Sequence, residues 1–229
     1  MLSAFVYVIE SPGPQDLLDG RTEGRSLCEV LRLADIPHWY SLVTTPETFQ
    51  SSLTKRLVDA ALTLKKLPIL HLSMHGDGTG VQLTNGDLLT WEQLRNAIDP
   101  ITNALNGGLL VCMSSCEGAS GCRMAMHQEP DHPFWALVGS SHQVRWADAA
   151  VAYITFYHSF FKGASLEESV KRMCMASGDT SFLHFSGAQI KADWVAYSQK
   201  TYQEALVRAL SEYGSRNTAS SGGLLGGAA

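Results

Sequence analysis

Two short apolar runs, each closed by a side chain that can do chemistry, constrain this chain most. They are Pro68-Ile-Leu-His-Leu-Ser-Met-His75-Gly76 and Gly108-Leu-Leu-Val-Cys-Met-Ser-Ser-Cys116. Both are nearly continuous in apolar residues rather than alternating, and both are bounded by Pro or Gly. That pattern marks strands buried on both faces, as in a parallel sheet covered by helices on each side. Such a sheet gathers the carboxyl ends of its strands along one edge, where ligands bind. An imidazole and a thiol are therefore expected at one edge. A free thiol has a pKa of about 8.5 and needs a base beside it to act as a nucleophile at neutral pH. The pair points to a cysteine hydrolase.

The rest of the chain reads as strands alternating with helices. Ala4 to Glu10 is a strand, with Ser11 to Pro14 as the loop at its carboxyl end. Asp16 to Ala34 reads as a helix and His38 to Thr44 as a second strand. Thr45-Pro46-Glu47 opens a helix whose Leu53, Leu57 and Leu64 keep the helical spacing. Gly80 to Thr90 is expected to form a hairpin about the two-residue turn Asn85-Gly86. Thr90 caps a helix from Trp91 to about Leu105, stopped by Asn106-Gly107-Gly108.

After Cys116, Glu117 to Pro133 reads as a loop and Phe134 to Val144 as a strand. Helices follow over Ala147 to Phe161 and Leu166 to Ala176, then a last strand over Phe182 to Gly187. Asp193 to Tyr213 is a final amphipathic helix. The order predicts an α/β fold with a mostly parallel central sheet. Residues 1–214 are expected to form a single domain, and 215–229, rich in small residues and without periodicity, a flexible tail.

Composition excludes several classes. At 229 residues and 45% hydrophobic, the chain can bury one sizeable core, or two small ones. Its formal net charge is -5, and its basic residues form no run longer than Lys65-Lys66, so no nucleic-acid partner is expected. No apolar stretch reaches the roughly 18 residues of a membrane span, and Leu2 to Ile9 is too short for a secretory signal core. A cytoplasmic location follows as the expectation. The five cysteines, an odd number at irregular spacing, fit reduced thiols rather than a disulfide framework. Cys28, Cys112 and Cys174 read as structural thiols.

No metal and no cofactor are expected. His71 and His75 have chelating spacing for a helix, but on a strand they stand roughly 13 Å apart, at about 3.3 Å per residue. Cys122, His127 and His132 form the remaining candidate zinc cluster, and no CxxC or HExxH is present. The G-x-S-x-G elbow and the phosphate-loop pattern are absent as well.

Each candidate residue has a plain reading beside the chemical one. His75 can be a surface residue in a turn, or a base held by a rigid strand. Gly76 lets backbone come close to a ligand, so its N–H can face an oxyanion. Cys116 can be an inert buried thiol, or a nucleophile whose own N–H completes the oxyanion site. Asp148 can be a helix-start acid stabilised by the dipole, or a substrate-pocket acid. Trp146 can be core or pocket wall. Ser140, Ser141 and His142 offer an edge along which a peptide adds as a strand.

Taken together, "LHLSMHG" and "LLVCMSSCEGASG" resemble the His-Gly and Cys blocks of the caspase-like fold, specifically of the CHAT (caspase HetF-associated with TPRs) proteases. A third block is similar: Val138-Gly139, then Arg145-Trp146-Ala147-Asp148, then Phe156-Tyr157 through Gly163. The resemblance runs from about Phe5 to Ala176. It implies a caspase-like three-layer sandwich, with His75 as general base, Cys116 as nucleophile, and the Gly76 and Cys116 amides as oxyanion donors. Asp148, Trp146 and Ser141 then bind substrate.

Two departures matter. Ser114 stands where metacaspases carry an acid, and the caspase Gln-Ala-Cys-Arg-Gly block is absent. The resemblance implies an endopeptidase that cuts a partner protein in bacterial defence or programmed cell death, with activation by a partner protein. A silent binding scaffold and a small-molecule amidohydrolase are the alternatives.

Overall fold

The computed structural model describes residues 3–221, with side chains to residue 212. Its centre is an eight-stranded sheet, six strands side by side and a hairpin of two off one of them. In chain order the strands are β1 (Ala4–Ser11), β2 (His38–Leu42), β3 (Leu67–Asp77), the hairpin β4 (Gly80–Gln82) and β5 (Leu88–Thr90), β6 (Leu110–Ser114), β7 (Ala136–Ser140) and β8 (Phe182–Ser186). The spatial order is β2-β1-β3-β6-β7-β8, and the hairpin extends from the end of β3. The first five strands of that order run parallel, and β8 closes the edge antiparallel to β7.

The near-continuous apolar runs follow from burial on both faces. Phe5, Tyr7 and Ile9 of β1, Leu70, Leu72 and Met74 of β3, and Val111 and Met113 of β6 share one core. Helices α3 (Pro46–Ser51), α4 (Leu57–Leu64) and α5 (Trp91–Ala104) cover that face through Phe49, Leu57, Ala60, Leu94 and Ile98. The alternate residues Val6, Val8, Ile69, Leu110 and Cys112 face a second core. It is closed by α2 (Glu23–Leu33), α6 (Trp146–Phe161) and α7 (Leu166–Ser177). The result is a three-layer α/β sandwich with a mostly parallel central sheet and helices on both faces.

Local chemistry explains most element boundaries. Thr90 caps α5 in a reciprocal box: its hydroxyl accepts from the Gln93 N–H at 3.3 Å, and the Gln93 side chain accepts from the Thr90 N–H at 2.9 Å. Thr45 and Thr48 make the same box at the start of α3. The α3–α4 segment widens into a π turn at Ser52–Arg56, where the buried Tyr7 hydroxyl donates to the Ser52 carbonyl at 2.9 Å.

Four expectations change. The helix expected over 16–34 is two helices, α1 (Pro14–Leu18) and α2, broken at Gly20, whose φ of 70° no helix accommodates. The hairpin turn has three residues rather than two. The register ends at Gln82 opposite Leu88, and the Leu83 N–H donates to the Asp87 carbonyl, leaving Thr84, Asn85 and Gly86 between them. Part of the 117–133 loop is a 3-10 helix over Gly118–Ala125, packed against α5 and β7. The last helix, expected over Asp193 to Tyr213, is α8, from Gly187 to Ser221. Residues 222–229 of the expected tail lie outside the described residues.

Candidate active site

The register fixes where the two chemical side chains go. Along the shared ladder of β3 and β6, the last paired residues are Ser73 and Ser114. His75 and Cys116 are each two residues further on, so they leave adjacent strands at the same height. Neighbouring strands lie about 4.8 Å apart. Alternation places His75 on the same side of β3 as Ser73 and His71, the side facing α2 and α6. His75, Cys116, Met74, Ser114, Ser115, Val144, Trp146 and Ala149 line one small cavity of about 30 Å³.

The imidazole is held from two directions. Its Nε2 lies 3.0 Å from Oδ2 of Asp16, and its ring meets Trp146 edge to face at 5.6 Å between centroids. The side chains are 41% exposed for His75 and 19% for Asp16, so the carboxylate is the better buried partner. Asp16 reaches His75 because α1 follows β1, and β1 lies beside β3 in the sheet. Gly13 permits that approach: a Cβ there would lie 3.0 Å from His75 Nε2. With Nε2 facing Asp16, Nδ1 is the nitrogen left for the thiol.

Beneath His75 the strand is pinned by buried polar groups. The Ser73 hydroxyl donates to Oε2 of Glu23 at 2.5 Å, and His71 Nδ1 lies 3.1 Å from the Tyr157 hydroxyl. Glu10, one strand over, accepts from the Gly24 and Arg25 amides and the Tyr40 hydroxyl, at 2.8, 3.2 and 2.7 Å. Burial outweighs those bonds and raises the Glu10 pKa above its ordinary value.

Cys116 sits on the turn that ends β6. Glu117 takes φ 52°, the left-handed region that a side chain disfavours by about 1–2 kcal/mol, and its N–H donates to the His142 carbonyl at 3.0 Å. The Cys116 thiol points at the Val144 carbonyl, with a sulfur–oxygen distance of 3.9 Å. Its own N–H makes no hydrogen bond among the described residues, so it is available to an oxyanion. Gly76 abuts the same turn: a Cβ there would lie 3.2 Å from the Cys116 carbonyl oxygen. The other thiols differ. Burial pushes Cys28 and Cys112 up to about 12 and raises Cys122 and Cys174.

Of the residues expected to bind substrate, Trp146 reaches the cavity. Asp148 is half-buried in the first turn of α6, its side chain makes no hydrogen bond or ion pair among the described residues, and it does not line the cavity. Ser141 lies just past β7, where its N–H donates to the Ser181 carbonyl at 2.9 Å and its hydroxyl lies 2.8 Å from His142 Nδ1. Asp16 is the residue that sequence reasoning passed over. The available signal was an acid just after the end of a strand that neighbours the His75 strand.

No family model matches the chain, and no curated protein matches it. Among solved structures it is similar to the crystal structure of the Arg-specific cysteine proteinase gingipain R. The identity is 12%, over 77% of this chain and 42% of that one, with a TM-score of 0.47. It is also similar to the complex of the Porphyromonas gingivalis RgpB pro- and mature domains. There the identity is 11%, over 81% of this chain and 47% of that one, with a TM-score of 0.45. The chain spans less than half the length of either structure.

Proposed function

We propose that this chain is a cysteine peptidase of the caspase-like kind, of the CHAT family in its sequence blocks. The observation that carries the reading is the convergence of Cys116 and His75 on one cavity, with Asp16 3.0 Å behind the imidazole. A thiol, a base and a carboxylate that orients the base form the general arrangement of an activated nucleophile.

The chemistry follows from that arrangement. His75 Nδ1 takes the Cys116 proton, and the thiolate attacks the carbonyl carbon of the scissile peptide bond. The oxyanion that forms is held by the Cys116 and Gly76 amides. Collapse breaks the carbon–nitrogen bond, the imidazolium gives its proton to the leaving amine, and a thioester remains on Cys116. Water, with His75 again as base, hydrolyses the thioester and restores the thiol. Asp16 keeps Nε2 protonated, so that Nδ1 is the basic nitrogen throughout.

The substrate is a partner protein, and the setting a cytoplasmic defence or cell-death response triggered by an activating partner. Asp148, unpaired and half-buried two residues beyond Trp146, is the acid that would favour Arg or Lys before the scissile bond. Asp148→Asn should then reduce cleavage after basic residues by about ten-fold, the scale of a hydrogen bond to a charged group. A preference unaffected by that change returns Asp148 to its role at the start of α6.

The reading as a whole is tested by exposing denatured host-cell protein to the wild-type chain and to Cys116→Ala and His75→Ala. Cleavage products that appear with wild type and vanish with both variants support it. Cleavage that persists at the wild-type rate in either variant would remove it. A silent binding scaffold is the second reading, favoured by the small size of the cavity. A Cys116 that alkylates readily in a folded chain that cleaves nothing would favour it.

A further inference from the structure

The carboxylate that faces His75 comes from a segment with little of its own to hold it. Helix α1 contains no buried residue. Along residues 14–21 every residue is exposed except Asp16, which is half-buried. Leu17 and Leu18 are 36% and 79% exposed, so no apolar packing fixes α1 against the sheet. Its hydrogen bonds are local: the Leu17 N–H donates to the Gly13 carbonyl, the Asp19 N–H to the Gln15 carbonyl, and the Gln15 and Arg21 side chains to Asp19. The Asp16–His75 contact at 3.0 Å is the one side-chain bond from residues 14–21 to another element among the described residues. A single partly exposed pair is too weak to place a helix of one turn. The position of Asp16 is therefore set from the two ends of its segment.

The far end is tied to β1 and β3. Glu10 accepts from the Gly24 and Arg25 amides, and Glu23 accepts from the Ser73 hydroxyl. Between that anchor and Asp16 lies the break at Gly20, with φ 70°. The near end is held by one residue. The Thr84 hydroxyl donates to the Pro12 carbonyl at 2.7 Å, and the Thr84 N–H donates to the Ser11 hydroxyl at 2.9 Å. That hydroxyl in turn donates to the Val43 carbonyl at 2.9 Å. The next carbonyl, that of Gly13, already belongs to the first turn of α1. Thr84 stands in the turn between β4 and β5, and β4 folds straight back on β3. His75 pairs with Gln82, two residues before Thr84. The imidazole and its carboxylate are thus referred to the same hairpin, His75 through the β3–β4 pairing and Asp16 through Pro12.

We propose that Thr84 is a positioning residue: from the hairpin turn it fixes Pro12, and through Pro12 the short stretch that carries Asp16 onto Nε2 of His75. Thr84 lines no part of the Cys116 cavity and acts through Asp16. The proposal rests on Asp16 preparing the imidazole of the Cys116–His75 pair, and it deepens that reading by making the hairpin turn part of what keeps the thiol activated. Without the hydroxyl, the Pro12 carbonyl loses its donor and α1 is tethered firmly at its far end alone. Asp16 then leaves His75 more often, by the factor that one neutral hydrogen bond is worth, about three- to ten-fold.

The test follows carbamidomethylation of Cys116 by limiting iodoacetamide at pH 7, read by peptide mass spectrometry. It compares wild type, Thr84→Val, Thr84→Ser, Asp16→Asn and the double variant Asp16→Asn with Thr84→Val. Valine keeps the size and branching of threonine and removes the hydroxyl. Thr84→Val should slow the reaction by about three- to ten-fold. Thr84→Ser keeps the donor and should stay within about two-fold of wild type. In the Asp16→Asn background, Thr84→Val should cost less than about two-fold more, because the acid it positions is already gone. A rate change of equal size in both backgrounds, as a general loosening of the fold would give, overturns the proposal. A Thr84→Val chain that alkylates at the wild-type rate while Asp16→Asn is slow overturns the anchor alone and leaves Asp16 its role. Wild-type rates in both single variants remove the pairing of Asp16 with His75, and the anchor with it.

Discussion

Replacing Asp16 by Asn tests the link between the strand framework and the thiol. The amide is nearly the same size, and it offers a carbonyl or an NH₂ group to His75 Nε2. An NH₂ group facing Nε2 requires Nε2 to accept, which moves the ring proton to Nδ1 and removes the base that faces Cys116. A carbonyl keeps the tautomer but loses the charge that steadies the imidazolium. A hydrogen bond to a charged group contributes about 1.5–3 kcal/mol. His75 is 41% exposed, and solvent screening places the value in the lower half of that range. At about 1.36 kcal/mol per decade, the loss in rate is roughly 13- to 45-fold. The assay is the carbamidomethylation rate of Cys116 by limiting iodoacetamide at pH 7. Stability should change little, since Asp16 makes no other side-chain hydrogen bond among the described residues. An Asp16→Asn chain that alkylates within two-fold of wild type would show that Asp16 does not prepare the imidazole.

Two further outcomes follow from the buried groups. With burial holding Cys28 and Cys112 at about 12, native protein at pH 8 should alkylate at Cys116 at least ten-fold faster than at either, as measured by peptide mass spectrometry. Equal labelling at Cys112 would contradict the buried assignment. Glu10 is raised from its ordinary value of 4.5, so the folded state holds that proton more tightly than the unfolded chain. Its contribution is therefore complete below about pH 4.5 and falls as pH rises through the folded value. Urea unfolding at pH 4.5, 6 and 7.5 should show the stability gap between wild type and Glu10→Ala narrowing as pH rises. A gap that widens would reverse the assignment.

The strands and their burial were readable because a residue covered on both faces must be apolar whichever way it points, as in β1, β3 and β6. The meeting of His75 and Cys116 was readable for the same reason: parallel strands end along one edge, and the shared register carries both residues to the same height. Asp16 was legible only as an acid just after the end of a strand, not as the partner of His75. An acid in the first turn of a short helix looks the same whether it steadies a dipole or an imidazole. Only the spatial order β2-β1-β3 distinguishes the two, by setting the end of β1 beside β3. The break at Gly20 and the 3-10 helix after Cys116 were hidden by small residues, which fit loop and helix alike. That Val144 and Trp146 line the site depends on how the connection after β7 folds back beside another strand, and no local pattern encodes it.

The most direct measurement of the central claim is covalent capture during turnover. Protein quenched in acid within seconds of mixing with a proteome-derived peptide pool is digested and searched for acyl groups. The account predicts an acyl adduct on Cys116 and on no other cysteine, trapped in larger amount by His75→Ala only if the acyl group is supplied as an activated thioester. It also predicts that free peptides are cleaved at the bond whose acyl half is captured. Steady cleavage of that pool by the Cys116→Ala chain, with no adduct on Cys116 in the parent, would contradict it.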